Sequence, residues 1–232
     1  IAGHGVLYAE AWDELKALAE LLQVPVTTSL LGKSSFPEDH ELSLGVSGRT
    51  ITKAAGHFAN ESDFILGVGT SFTINDFTAR MPKDANLGQI TNAPSDIAKC
   101  RAVSCAATGD AKLVLRQLID AAKSRLGDSG REAATETIEE IRKLKQEFFD
   151  EWSDRLLCDE PGPISPYRVI HEMNTLFDKS STVVTHDAGN PRDHYESLSY
   201  TDGSSGMAST LSILYAYMTS MACLRSLARL SP

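Results

Sequence analysis

The chain has 232 residues, of which 42% are hydrophobic and 23% charged, and 22 Lys and Arg against 31 Asp and Glu leave a net charge of −9. That is ordinary globular usage with enough apolar material for a core, which argues against disorder. The acidic balance argues against nucleic acid or an anionic membrane as the partner, while a local basic pocket stays compatible with it.

In chain order, the sequence opens on Ile1-Ala2-Gly3 as if in mid-strand, without an initiator Met or a signal segment, so a longer natural N-terminus is expected. Trp12, Leu15, Ala19 and Leu22 recur at helical spacing in AEAWDELKALAELLQ, an amphipathic helix. VPVTTSL follows as a short β-branched strand. TITKAAGHFANES reads as a second helix with Ile51, Ala54, Ala55 and Phe58 on one face. DFILGVG is a nearly continuous apolar strand ending in glycine, and NLGQITNA and AVSCAAT are two more strands. Asp110 then caps a strong helix, DAKLVLRQLIDAAKSRL, by accepting from its first free N–H groups.

Strands that alternate with helices and look apolar on both faces predict an α/β fold, a parallel sheet with helices on both faces. In such sheets ligands bind beyond the carboxyl ends of the strands. The turns there hold Gly3, His4, Gly5, Gly32, Gly69, Asn92, Gly109 and Asp110, which form a candidate nucleotide rim of a first domain, residues 1–126. Gly3-His4-Gly5 lacks the third glycine of a dinucleotide fingerprint, because position 8 is Tyr. It reads equally as a tight strand-to-helix turn. A magnesium role for Asp110 is weaker than its role as a cap, and Asp202-Gly203 reads as a turn.

Residues 127–162 form a charge-rich connection. Within it Ile138, Ile141, Leu144, Phe148 and Trp152 mark a surface helix whose apolar stripe lies on one domain and whose other face is solvated. A second unit starts at Pro163. Ser165 is a good N-cap and Pro166 suits the first helical position of PISPYRVIHEMNTLF. STVVTHD reads as its first strand and AGNPRD as the loop at that strand's carboxyl end. MASTLSILYAYMTSMAC carries no charge, yet at 17 residues it is shorter than the ~20 a membrane span needs, and a buried helix fits it better.

The four cysteines, Cys100, Cys105, Cys158 and Cys223, form no CxxC pair and no zinc spacing. They read as reduced, mostly buried thiols of a cytoplasmic protein. His4, His57, His171, His186 and His194 lie on different elements and suggest no triad; His186-Asp187, at a strand end, is the most notable pair.

The stretch TTSLLGKSSFPEDHELSLG, Thr27 to Gly45, resembles the middle domain of thiamine-diphosphate-dependent enzymes of the acetolactate synthase type. Leu31-Gly32-Lys33 and Phe36-Pro37-Glu38-Asp39-His40 match in order and spacing. The Gly3 to Val6 turn, DFILGVGTSF at Asp63 to Phe72 and Gly109 to Lys112 also fit, and Pro166 to Asp187 resembles the start of the family's diphosphate-binding domain. The resemblance implies a Rossmann-like middle domain followed by the first helix and strand of a second α/β domain in residues 163–232. It implies thiamine diphosphate and Mg2+ in the full protein, a small 2-keto acid as substrate, decarboxylation or carboligation, and a homodimer or homotetramer. It places Ala188, Gly189 and Asn190 near the diphosphate.

The family's activating glutamate and its Gly-Asp-Gly magnesium segment have no counterpart here. A fragment is therefore expected, inactive alone and with no catalytic or metal-binding residue assigned. Flavin-binding members carry acidic and Arg-rich turns where this chain has Thr73-Ile74-Asn75 and Thr91-Asn92-Ala93, which puts FAD in doubt. From about Thr201 the likeness fails, and a truncated or frame-shifted end is expected. Two rival readings are a non-catalytic nucleotide-binding module or subunit and a nicotinamide- or flavin-dependent enzyme on a similar sheet.

Overall fold

The computed structural model describes residues 1–48, 51–75, 78, 81–82, 84–157 and 162–177. Five short strands run parallel within it: β1 (Val26–Thr28), β2 (Ser43–Val46), β3 (Phe64–Val68), β4 (Asn86–Thr91) and β5 (Cys105–Thr108). β1 pairs with β2, β3 with β4, and β4 with β5. Ala2 joins the two groups, bridging in parallel to Thr28 on one side and to Val68 on the other. One continuous sheet results, in the order β2, β1, Ile1–Gly3, β3, β4, β5. The Ala2 N–H donates to Thr27 O at 2.8 Å, the Val68 N–H to Ile1 O at 2.9 Å and the Gly3 N–H to Val68 O at 2.8 Å.

This is the doubly wound order, and it reverses direction at Ile1–Gly3, between β1 and β3. The helices explain why the sheet is stable. α2 (Trp12–Leu22) turns Leu15, Leu18 and Ala19 inward, and α4 (Ala111–Leu126) turns Ala111 and Leu115 inward. These residues form one cluster with Ala2, Val26, Val68 and Ile90. Side chains alternate between faces along a strand, so Ile65 and Leu87 point the other way, where Phe72 and Met81 cover them. Asp110 caps α4 as predicted, its carboxylate accepting from the Leu113 N–H at 3.2 Å.

α3 (Lys53–Glu61) is capped by the Thr52 hydroxyl, which accepts from the Ala55 N–H at 3.1 Å. Its Ala54 and Ala55 pack with Leu44 of β2 and with Ile141 of α5 (Thr135–Leu156). The apolar stripe expected on α5 therefore lies on the first unit. The charged face is exposed, and its side chains pair across to the first unit: Lys53 with Glu147 at 2.7 Å, His57 with Glu140 at 3.0 Å and Arg142 with Glu41 at 3.6 Å. α6 (Pro166–Leu176) meets α5 through Tyr167 on Trp152, with ring centroids 4.7 Å apart. Ser165 is the N-cap residue of α6 but makes no side-chain capping bond.

Four elements are not predicted from sequence: the five-residue α1 (His4–Tyr8), β2 and the short 3-10 helices Leu30–Gly32 and Pro94–Asp96. Cys105 is exposed and Cys100 half-exposed, contrary to the expectation of buried thiols. Cys105 sits on the edge strand β5, which nothing covers as fully as the sheet centre. The readings of STVVTHD, His186-Asp187, Ala188, Gly189, Asn190, Asp202-Gly203 and the uncharged tail fall outside the described residues. Among the described residues no helix is long and apolar enough to cross a membrane.

Candidate functional site

The carboxyl ends of Ile1–Gly3, β3, β4 and β5 open onto a crevice of about 340 Å³. His4, Gly5, Gly69, Asn92, Gly109 and Asp110, all named from sequence, line it together with Tyr8, Thr70, Ser71, Thr91 and Asp96. Gly3 lies in the adjoining lobe of about 240 Å³, beside Ser29, Leu30, Ser47, Phe72 and Met81. Gly32 lines neither lobe. A side chain on it would run into the backbone of Ala2 and Gly3.

The glycines serve packing between loops. A Cβ on Gly69 would stand 2.7 Å from the Cα and carbonyl carbon of Gly5, and one on Gly5 would stand 2.7 Å from the Cα of Gly69. Gly69 also has φ +62°, a left-handed conformation that side chains disfavour. The N–H groups here are already spent: Gly5 donates to Gly69 O at 3.0 Å, Gly69 to Ile90 O at 2.8 Å and Gly109 to Thr91 O at 3.0 Å. A phosphate-cradling loop instead turns its N–H groups toward the ligand.

The electrostatics agree with that geometry. The carboxylates in the larger lobe belong to Asp96 and Asp110, and no Lys or Arg is among its described lining residues. Burial holds the His4 imidazole below its ordinary range, so it is neutral at pH 7. His4 and Tyr8 stack at a centroid distance of 4.3 Å. The lobe thus offers hydroxyls, an amide and two carboxylates, a lining for neutral hydroxyl-bearing groups. Among its described lining residues none carries a positive charge to pair with a dinucleotide diphosphate such as that of FAD. Among the described residues no group of three or more His, Cys, Asp or Glu side chains could hold a metal ion, so magnesium and a diphosphate do not fit this crevice either.

Gln89, missed from sequence, braces the loops of the crevice. It is buried in β4, and its amide donates to Thr70 O at 3.1 Å and Asp96 O at 3.0 Å while accepting from the Ala98 N–H at 3.1 Å. Gln89→Leu keeps the volume but strands three backbone groups. A loss of about 2 kcal/mol is expected, read as a lower denaturant midpoint with an unchanged slope. Thr70 and Ser71 lie just past the end of β3 and Asp96 further along the loop after β4, so the carboxyl-end rule applied further into each loop would have found them. Tyr8 required knowledge of α1.

Strand order, the switch point and the crevice define a doubly wound α/β domain of the Rossmann type. Residues 1–118 match the family model of the thiamine pyrophosphate enzyme central domain, and the chain belongs to that family. It is 33% identical over 196 residues to a probable acetolactate synthase large subunit of Methanocaldococcus jannaschii, covering 82% of this chain and 32% of that protein. It is 32% identical over 164 residues to the acetolactate synthase large subunit of Corynebacterium glutamicum, covering 68% and 26%. A probable sulfoacetaldehyde acetyltransferase of Rhizobium meliloti is 29% identical over 206 residues, covering 81% and 34%. The chain spans about a third of the length of these relatives.

Proposed function

We propose that this chain is the central part of a thiamine-diphosphate- and magnesium-dependent lyase or transferase that acts on 2-keto acids by decarboxylation or carboligation, as an acetolactate synthase does. The observation that carries the reading is the match of residues 1–118 to the central domain, together with relatives named acetolactate synthase. Residues 1–126 are the central domain, 127–162 the connection, and 163–232 the beginning of the diphosphate-binding domain. Ala188, Gly189 and Asn190 contact the diphosphate there, since backbone N–H groups and a short amide can bind phosphate oxygens. The full protein is a cytoplasmic homodimer or homotetramer.

In this reading the chemistry lies away from the central crevice. The cofactor, when bound, serves as the electron sink for the carbanion left by loss of carbon dioxide. The described residues supply no acid, base or metal ligand to it, and their role is to hold the neighbouring domains in place.

The test compares two proteins. The chain alone, supplied with pyruvate, thiamine diphosphate and Mg2+, is expected to release no carbon dioxide. The longer polypeptide obtained by extending the coding region is expected to release it only when both cofactors are present. Turnover by the chain alone would refute the claim that it lacks catalytic parts. A longer polypeptide that binds nucleotides but transforms no 2-keto acid would support a nucleotide-binding module instead.

A further inference from the structure

β5 ends the sheet on an open edge. The Gly69 N–H donates to Ile90 O, so Ile90 faces β3 and its neighbours Gln89 and Thr91 face β5. The Gly109 N–H accordingly donates to Thr91 O at 3.0 Å. The register sets Gln89 against Ala106 and Thr91 against Thr108. Cys105 and Ala107 therefore turn their backbone groups to β4, while Ala106 and Thr108 turn theirs outward. Among the described residues no strand pairs with that outer edge, and Cys105, Ala106 and Thr108 are exposed. Proteins commonly protect a free edge with Lys, Pro or a bulge, yet the run from Ala102 to Gly109 holds no charged residue and no Pro. α4 adds an apolar flank beside this edge. It meets α2 through Lys112, which donates to Glu10 O at 3.0 Å, and Arg116, which pairs with Glu14 at 2.9 Å. Val114, Leu118 and Ala121 recur at helical spacing on the flank turned away from α2. A Cβ on Gly109 would stand 3.1 Å from Val114 Cγ2, which sets that flank over the end of β5. Leu118 and Ala121 are exposed there.

We infer that the β5 edge and this flank of α4 form one interaction surface, and that its occupant is a second copy of this chain, related by a twofold axis and pairing β5 antiparallel to β5. Centred at Ala106, such a pair joins the Ala106 N–H of each copy to the Ala106 C=O of the other. Only methyl groups meet at the axis, so the backbones can approach closely. Charge selects a copy over an unrelated strand. Arg101 precedes β5, and its Nε is buried without a hydrogen-bond partner among the described residues. Asp110 follows β5, where its carboxylate accepts from the Leu113 N–H at 3.2 Å. Antiparallel pairing brings Arg101 of one copy beside Asp110 of the other, and the twofold repeats the match at the opposite end. The two α4 helices then run antiparallel on the same face, and each covers the exposed Leu118 of the other. This surface is separate from the crevice and owes nothing to the cofactor chemistry.

The test is sedimentation equilibrium of the full chain across the micromolar range, run beside two variants. Ala106→Lys sets two ammonium groups against each other at the axis, and Leu118→Glu charges the helical flank. Both side chains are exposed in the single chain, so the circular dichroism of the monomer is expected to stay unchanged. The unaltered chain is expected to dimerise reversibly, and each variant to weaken the dimer about tenfold or more. Hydrogen exchange at the Ala106 and Thr108 amides is expected to slow as the concentration of the unaltered chain rises. A chain that stays monomeric throughout, or a dimer that either variant leaves intact, would overturn the inference. So would protection of those two amides that does not change with concentration, because a segment of the same chain would then cover the edge.

Discussion

Replacing Gly69 by alanine is expected to cost about 3 kcal/mol or more and to lower the thermal midpoint by about 10 °C. Two terms add. An L side chain at φ +62° pays about 1 kcal/mol for the left-handed conformation. The new Cβ then meets Gly5 Cα at 2.7 Å, and this neighbour is backbone, which cannot rotate away. Gly127 separates the two terms. It has φ +82° but nothing within 4 Å of an added Cβ, so Gly127→Ala is expected to cost only about 1 kcal/mol. Chemical unfolding of both variants measures the difference. Equal losses would mean that the Gly5–Gly69 contact is not what holds the crevice closed.

The second large effect is a pH dependence of the chain that bears a free amino group on Ile1. Desolvation lowers that group from 8.0 to about 5. Above pH 8 the amine is neutral in both folded and unfolded chains and costs nothing. As the pH falls below 8 the unfolded chain takes up the proton first, so stability declines until about pH 5, where the folded chain protonates as well. The three-unit difference sets a ceiling of about 4 kcal/mol on the loss. Acetylating the amino group removes the titration, while every other group titrates alike in the two forms. Denaturant titrations at pH 8 and pH 5.5 should show a steep loss for the free amine and a shallower one for the acetylated chain. Parallel losses would exclude a buried amine.

Much of the fold is legible in the residues. β1, β3, β4, α2, α3 and α4 each carry an apolar run or a clean helical stripe, and Asp110 announces its helix by type and position. β2 is hidden because Ser43–Val46 is four residues long and contains Gly45, which weakens a strand signal. α1 is hidden because a five-residue helix has no periodicity to read. Strand order is illegible for a different reason: no local property of Ala2 says that its two neighbours are Thr28 and Val68. The crevice was half legible. Its glycines stand at strand ends as expected, but their reason is the approach of Gly3 and Gly5 to Gly69, a tertiary fact that no single turn reveals. Gln89 was invisible because a buried amide in an apolar strand looks like a solvent-facing residue until its three partners are known.

The central place of Ile1–Gly3 also sets an order of events during synthesis. Ile1–Gly3 leave the ribosome before both of the strands that flank them in the sheet, and Ile1 bonds to a residue 65 positions away. The β1 side can assemble as soon as Thr28 has emerged, while the β3 side must wait for Val68. Closing the longer loop is the costlier step. A nascent chain stalled between these two points would carry half a sheet, with one flank of Ala2 paired and the other open to the first strand-like segment it meets.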